Sequence, residues 1–388
     1  MERSEILLKP GQQIKPYVPN EVIQDLLLKL YNLQVISVEE LNSYDDRNFH
    51  IMVKEHNCLP DTEDVCLDGY VLKITNSLDS KACNLIDAQH KMMVYLDKNG
   101  LPCPKPIKNI EGKFMSLEQL ENPAKSLFLE NNAFYGNHVT GKHIVRLLSF
   151  LPGNILYSVP YTKDLLLQVG ELVAKTDLAL MGFVHDGLKG VDRIWNLSAV
   201  PKLCDFIYVI KDDHKHELAM EVIDNFKSHV LPHLQKLKSG PIHGDFNEQN
   251  ILVKPDENQP GKYVISGILD FGDVHFNYYV FEIAIAICYM MIECKTMDML
   301  DAPGHVLAGY NRLRAIPDEE FVLLKDCISA RFCQSLVLGA YSFSQNPDPY
   351  LLITSQNGWQ CLKALWEYPK DELYKRWRLI IEDYNKCL

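Results

Sequence analysis

The first 150 residues alternate between helical and strand spacing of apolar positions. Segment 20–31 has apolar residues three and four positions apart, which predicts a helix with Asn20 as its N-terminal cap. Short segments with alternating apolar residues predict strands. The predicted strands are 33–41, 49–53, 70–74 and 143–150, and a second helix is predicted over 84–97. Residues 111–140 are predicted to be mostly loop.

The rest of the chain has mainly helical spacing. Amphipathic helices are predicted over 165–180 and 217–237, and helices resume at Val280 and continue to the end of the sequence. Only a strand over 263–269 and two polar loops interrupt this pattern. The longest apolar run, 280–292, is too short to cross a bilayer, so it predicts a buried helix.

These patterns predict an α+β fold with two lobes. We expect residues 1–150 to form an N-terminal lobe with a small mixed β-sheet. Residues 151–388 are expected to form a mostly helical C-terminal lobe, with the boundary near residues 146–153.

Composition and charge narrow the class of partner. The chain has 388 residues, of which 47% are hydrophobic, and its net charge is −12. Nucleic acids and anionic membranes need a basic surface, so neither is expected as the main partner. The eleven cysteines include no CxxC pair and the N-terminus has no long apolar run. Both features predict a cytoplasmic protein with reduced thiols and no zinc site.

Two polar motifs in the second half of the chain indicate the chemistry. The first is HGDFNEQN over residues 243–250, called the HGD loop below, and the second is DFG over residues 270–272. Phosphoryl-transfer enzymes of the protein-kinase fold use the same order of an Asp, an Asn and a second Asp. Asp245 is therefore the expected proton acceptor, and Asn250 and Asp270 are the expected Mg²⁺ ligands. The alternative interpretation is a solvated polar turn.

Candidates for phosphate binding lie in the first half of the chain. Lys73 stands in a predicted strand, as a phosphate-binding lysine does in kinases, although a surface lysine is the alternative. The turn 43–49 has no glycine, but its N–H groups, with Ser43 and Asn48, have the chemistry to hold phosphates. An ordinary hairpin turn rich in turn-forming residues is the alternative there.

Several residues have predicted supporting roles. His243 is expected to hydrogen-bond the loop backbone rather than to act in acid–base catalysis, and Asn247 to orient Asp245 or the acceptor hydroxyl. Either Asp87 or Gln89 is expected to orient the strand lysine. A buried carboxylate must be paired, so we predict that Glu282 bonds to the region of the HGD loop.

These motifs together resemble the aminoglycoside phosphotransferase family of small-molecule kinases. The stretches SYDDRNFHI, SGILDFGDVHFNYYVFEIAIAICYMMIE and SARFCQSLV resemble, within that family, the subfamily that phosphorylates free 5-hydroxylysine in lysine and hydroxylysine catabolism. The resemblance implies a bilobal protein-kinase-like fold, a nucleotide-binding N-terminal lobe and a C-terminal lobe for catalysis and substrate binding. It implies GTP as the donor and Mg²⁺ as the metal, and it supports the roles given above to Asp245, Asn250, Asp270 and Lys73. Gln89 stands where the wider family has Glu.

Two alternatives remain. A kinase for another amino alcohol, of the homoserine, choline, ethanolamine or aminoglycoside type, would keep the motifs and use ATP. A non-catalytic nucleotide-binding protein would be expected to lack at least one of Asp245, Asn250 and Asp270, and all three are present. The expected partners are therefore a nucleotide and a small-molecule acceptor, and the sequence does not indicate an oligomeric state.

Overall fold

The computed structural model describes residues 7–54, 68–120 and 141–386. It divides into two compact units. The first comprises Met1–Asp97 and Cys103–Pro152, and the second comprises Lys98–Pro102 and Gly153–Leu388. Most of the loop predicted over 111–140 lies outside the described residues.

The first unit is built on a six-stranded sheet. Its elements are α1 (Asn20–Tyr31), β1 (Val35–Leu41), β2 (Arg47–Val53), β3 (Tyr70–Ile74), α2 (Cys83–Lys98), β4 (Pro106–Ile107), β5 (Ser116–Leu120) and β6 (Gly141–Ser149). The strand order is β1-β2-β3-β6-β4, with β5 also paired to β6, and every pair is antiparallel. The predicted strands and helices are confirmed, but β5 lies where a loop was predicted. Its pairing with β6, rather than its own sequence pattern, makes it a strand.

Alternating burial explains how the sheet of the first unit packs. In β2, Phe49 and Ile51 are fully buried and point to the same face. They join the apolar side of α1, including Ile23 and Leu27, in one hydrophobic core. The predicted cap of α1 is wrong, because Asn20 is already the first helical residue.

The second unit is mostly helical. Its helices are α3 (Lys163–Leu180), α4 (Asp213–Asn225), α5 (Tyr279–Glu293), α6 (Ala302–Leu313), α7 (Asp318–Phe321), α8 (Leu324–Gln345), α9 (Ile353–Glu367) and α10 (Lys370–Lys386). The helix predicted over 217–237 is too long. The α-helix ends at Asn225 and continues as a π turn and a 3₁₀ helix, Leu231–Lys236, which contains Pro232. Proline has no N–H for an α-helical hydrogen bond.

Five strands of the second unit position its polar loops. They are β7 (Asn154–Ile155), β8 (Ser239–Ile242), β9 (Ile251–Pro255), β10 (Tyr263–Ile268) and β11 (His275–Tyr278). β10, β9 and β7 form one antiparallel sheet, and β11 pairs with β8. Only β10 was predicted. Three of the others are too short to give a readable alternation of apolar residues, and the apolar residues of β9 are consecutive.

Helix α5 is the buried helix predicted from the longest apolar run. Every residue from Tyr279 to Ile292 is buried. Within the described residues, no helix combines the length and apolar character needed to cross a bilayer. The structure describes eight free cysteines, six of them buried.

Candidate active site

The HGD loop connects β8 to β9 and begins with a tight turn at Gly244. Gly244 has a φ of +82°, and a Cβ atom on it would lie 2.5 Å from the carbonyl oxygen of Asp273. Only glycine fits this position, because other residues would both strain the backbone and clash. The turn brings the HGD loop against the residues that follow the DFG motif.

A buried carboxylate from α5 fixes the start of the same loop. The two side-chain oxygens of Glu282 accept hydrogen bonds from the backbone N–H groups of His243, at 2.6 Å, and Gly244, at 2.8 Å. Glu282 is completely buried, so this pairing meets the need of its carboxylate for partners. The predicted bond between Glu282 and the loop region is confirmed.

Both carboxylate oxygens of Asp245 have partners. Oδ1 lies 2.7 Å from Nη2 of Arg331, and Oδ2 accepts hydrogen bonds from Nδ2 of Asn247 at 2.9 Å and of Asn250 at 2.8 Å. Three donors therefore hold one carboxylate in a single orientation. A carboxylate fixed in this way can receive the proton of a hydroxyl that is brought to it.

Arg331, on α8, is held as firmly as Asp245. It is 1% exposed, and its guanidinium lies 5.3 Å from the ring centres of both Trp195 and Tyr289. It also donates hydrogen bonds to the Trp195 carbonyl and to Gln334. Burial raises the pKa of Asp245 to about 7, whereas the positive charge of Arg331 acts to lower it.

The β9–β10 hairpin places the two candidate metal ligands at one end. Ile251 pairs with Ile268, and the Leu269 N–H donates to the Asn250 carbonyl at 2.8 Å. The next residue, Asp270, has a φ of +51°, which is costly for a residue other than glycine and is often found at functional sites. The structure thus brings together Asn250 and Asp270, which are separated in sequence.

Two buried, neutral histidines form hydrogen bonds in this region. His243 bonds within the HGD loop and to Leu269, and His275 bonds to residues that follow the DFG motif. His243 Nε2 donates to the Leu269 carbonyl while Nδ1 accepts from the Asp245 N–H. His275 Nδ1 donates to the Asp273 carbonyl while Nε2 accepts from Asn277. Burial lowers the pKa of each histidine to about 4.

Glu248 differs from the other polar side chains of the loop. It is 6% exposed, and its Oε2 atom has no hydrogen-bond partner among the described residues. Burial, together with the carboxylates of Glu293 and Asp245, raises the pKa of Glu248 to about 7. A buried oxygen without a partner is uncommon and requires an explanation.

In the first unit, Lys73 occupies the middle of three paired strands. It lies opposite Asn48 on β2 and Arg146 on β6, and it is 6% exposed. The register therefore sets two long basic side chains next to each other on the sheet.

Helix α2 supplies different environments to the two candidate partners of Lys73. Gln89 is buried, and its Oε1 accepts a hydrogen bond of 2.6 Å from Nη1 of Arg146. Asp87 lies on the more exposed side and forms an ion pair of 2.7 Å with Lys91, one turn along the helix. Gln89 is thus tied to the second basic residue of the pair, and the role of Asp87 remains a prediction.

The glycine-free turn between β1 and β2 is fixed by side chains. Ser43 Oγ donates to the Asp46 carbonyl at 2.6 Å, and the Asp46 carboxylate accepts from the backbone and side chain of Asn76. Asn48 Oδ1 is buried with no hydrogen-bond partner in the described part of the chain. These hydrogen bonds fix the conformation of a turn that contains no glycine.

Sequence reasoning missed Arg331 and Arg146. Arg146 lies outside the motifs quoted above, Arg331 lies in one of them without a role assigned to it, and each contacts a residue distant in sequence. A weak signal existed for Arg331, because it stands alone in the apolar segment SARFCQSLV. A buried arginine must be paired, but the sequence does not show that its partner is Asp245.

Comparison with known proteins defines the class of this one. A family model described as "Phosphotransferase enzyme family" matches residues 61–319, and the chain belongs to that family. The protein is an enzyme that transfers phosphate to an alcohol group. Family members use a nucleotide as the phosphate donor, typically with a divalent metal.

Curated relatives narrow the similarity further. The chain is 37% identical to hydroxylysine kinase of Xenopus laevis over 380 residues, which cover 95% of this chain and 96% of the relative. It is 35% identical to hydroxylysine kinase of Danio rerio over 371 residues, with 94% and 96% covered. The resemblance to this subfamily, predicted from the motifs, is confirmed.

Solved structures support the fold. The amicoumacin kinase hAmiN, in complex with AMP-PNP, Ca²⁺ and Ami, matches with a TM-score of 0.63 and 16% identity. The match covers 92% of this chain and 97% of that one. The predicted protein-kinase-like fold of the aminoglycoside phosphotransferase type is confirmed.

Proposed function

We propose that the protein transfers the γ-phosphate of GTP to the hydroxyl of 5-hydroxy-L-lysine, in the cytoplasm, as a step of hydroxylysine catabolism. The observation that carries this proposal is the HGD loop, in which Asp245 is fixed by Arg331 and by the side-chain amides of Asn247 and Asn250. The similarity to hydroxylysine kinases over nearly the whole chain supports the choice of acceptor.

Asp245 is the proposed proton acceptor. The acceptor hydroxyl loses its proton to Asp245 as its oxygen attacks the γ-phosphorus and the bond to the GDP oxygen breaks. The partners of Asp245 keep its carboxylate oriented, so little reorganisation is needed when the hydroxyl arrives. Asn247 supports this role through its bond to Oδ2.

Asn250 and Asp270 fit a Mg²⁺ site by the chemistry of their donors. Nδ2 of Asn250 is engaged by the carbonyl and side chain of Asp245, so Oδ1 is the atom of the amide that would bind a cation. Amide and carboxylate oxygens are ligands that Mg²⁺ prefers. When bound, Mg²⁺ neutralises charge on the nucleotide phosphates. Lys73, Ser43 and Asn48 are the proposed phosphate-binding residues of the first unit.

Phosphate transfer from GTP and from ATP to a panel of acceptors tests the proposal. The panel comprises 5-hydroxylysine, lysine, homoserine, choline, ethanolamine and an aminoglycoside. We expect 5-hydroxylysine to be phosphorylated with GTP, and lysine to be inert because it lacks the hydroxyl. Preferred turnover of another acceptor would contradict the proposed substrate, and preferred use of ATP would contradict the proposed donor.

A further inference from the structure

Two buried polar atoms, one in the HGD loop and one in a segment bonded to it, lack hydrogen-bond partners among the described residues. Glu248 Oε2 and the Tyr161 hydroxyl are both buried, and neither has a partner among the described residues. The backbone joins their segments, because the Tyr157 N–H donates to the Glu248 carbonyl at 3.0 Å. The Glu248 carboxylate is also among the groups that raise the pKa of Tyr161.

Glu248 is buried, so a charge on it calls for a cationic partner. Glu293 has one, with Lys295 Nζ at 3.3 Å. Such a partner is not found for Glu248 among the described ion pairs. The backbone N–H of Glu248 and the side chain of Gln249 hydrogen-bond the Glu248 carboxylate, but neither neutralises its charge, and a buried carboxylate without a counter-charge is costly. The site at Oε2 is therefore complementary to a cation that donates hydrogen bonds.

We infer that Glu248 and Tyr161 bind the ammonium group next to the reacting hydroxyl of the acceptor. The inference rests on the proposed function and identifies how that site recognises its substrate. An ammonium group offers three donors and a positive charge, which suits one carboxylate oxygen and one neutral phenol oxygen.

The position of Glu248 selects which ammonium it binds. It lies three residues after Asp245, which receives the proton of the hydroxyl. In 5-hydroxylysine the C6 ammonium is on the carbon adjacent to the hydroxyl-bearing C5, whereas the α-ammonium is three carbons away. Because Glu248 and Asp245 belong to the same short loop, we assign the C6 group, next to the reacting hydroxyl, to Glu248. The same site favours amino alcohols whose two groups are on neighbouring carbons.

A metal ion fits this place less well. The described residues contain no group of three or more His, Cys, Asp or Glu side chains arranged to hold a metal. A neutral tyrosine hydroxyl is also a poor ligand for a hard divalent cation. Because the assay contains Mg²⁺, the experiment distinguishes binding of Mg²⁺ from binding of the ammonium group.

The experiment compares the wild-type protein with Glu248→Gln on three acceptors. These are 5-hydroxylysine, 2-amino-5-hydroxyhexanoate, which lacks the C6 ammonium, and 6-amino-5-hydroxyhexanoate, which lacks the α-ammonium. In kcat/KM, the wild-type protein should prefer 5-hydroxylysine over the first analogue by about 100-fold, as expected for a charged hydrogen bond. Glu248→Gln should reduce this preference to a few-fold, and leave the preference over the second analogue unchanged.

Two further variants complete the design. Tyr161→Phe should lower the preference for 5-hydroxylysine over 2-amino-5-hydroxyhexanoate several-fold. This variant tests the ammonium assignment if Glu248→Gln does not fold. Glu257→Gln, at an exposed position on the same unit, is the matched control and should change neither preference.

Each contrary result has a distinct meaning. If the wild-type protein phosphorylates 5-hydroxylysine and both site variants keep the full preference, the ammonium assignment is wrong while the proposed function stands. If added Mg²⁺, rather than added acceptor, restores turnover by Glu248→Gln, then Glu248 belongs to a metal site and the ammonium assignment is again wrong. If the wild-type protein phosphorylates none of the three acceptors, the proposed function fails and the assignment falls with it.

Discussion

The HGD loop of the second unit agrees more closely with the kinase pattern than the Lys73 region of the first unit does. The Lys73 region comprises the turn 43–49, Lys73 and Gln89. In the HGD loop, the backbone N–H groups of His243 and Gly244 and both oxygens of Asp245 have defined partners. In the Lys73 region, the glycine-rich turn and the usual Glu are absent, and other contacts take their places.

The difference reflects what each region has to do. A proton acceptor and metal ligands must be correct in both chemistry and position, so few substitutions keep the function. Binding phosphate needs mainly positive charge and N–H donors, which several arrangements can supply. We propose that the turn tied by Asp46 to Asn76 and the arginine beside Lys73 form one such arrangement.

The largest expected effect is that of Asp245→Asn. Removing the proton acceptor should lower kcat by a factor on the order of 10³, within the range for general base catalysis. Steady-state kinetics with 5-hydroxylysine would measure it, with the exposed Asp318→Asn as control. Turnover within tenfold of the wild-type protein would remove Asp245 as the base.

Arg331→Lys should have the next largest effect on turnover. Lysine keeps the charge but cannot reproduce the several hydrogen bonds that the guanidinium makes. We expect kcat to fall by about 10- to 100-fold, with nucleotide affinity almost unchanged, because Asp245 loses its fixed orientation. The exposed Arg378→Lys serves as control. An equal loss in nucleotide affinity would show that Arg331 acts on binding instead.

Lys73→Met tests the first unit. Losing one charged contact to phosphate should weaken nucleotide binding by about tenfold or more, as measured by titration calorimetry. Gln89→Glu is the informative companion, because Gln89 already accepts a hydrogen bond from Arg146. We expect its nucleotide affinity to stay within about threefold of the wild-type value. A loss of nucleotide affinity as large as that of Lys73→Met would show that nucleotide binding requires the neutral amide of Gln89.

Stability, rather than turnover, is expected to depend on the protonation of His275. His275 has a pKa of about 4 in the folded protein, lowered by burial, and an ordinary value near 6.5 when unfolded. The unfolded state therefore binds more protons between these values, and stability falls as the pH drops from about 6.5 to about 4.

Chemical unfolding at several pH values measures this contribution. Relative to the wild-type protein, His275→Gln should lose less stability over that interval, by up to about 3 kcal/mol. The exposed His214→Gln should keep the wild-type slope. Parallel slopes for His275→Gln and the wild-type protein would contradict the neutral, buried state of His275.

The sequence predicts local features well and distant pairings poorly. Strand 70–74 and the buried helix over 280–292 follow from apolar spacing, and the HGD loop follows from residue types that the chemistry requires. Strands β8 and β11 were missed because their sequences are short and their pairing is non-local, and β9 because its apolar residues are consecutive rather than alternating. The contacts Arg331–Asp245 and Arg146–Gln89 depend on how separate elements pack, which no local pattern records.

The most direct test measures nucleotide binding with and without Mg²⁺ for the wild-type protein, Asp245→Asn and Asp270→Ala. If Asp245 performs chemistry and Asp270 binds the metal, Asp245→Asn should bind GTP with the Mg²⁺ dependence of the wild-type protein. Asp270→Ala should lose that dependence. An unchanged Mg²⁺ dependence in Asp270→Ala, or its loss in Asp245→Asn, would contradict the division of roles proposed for these two carboxylates.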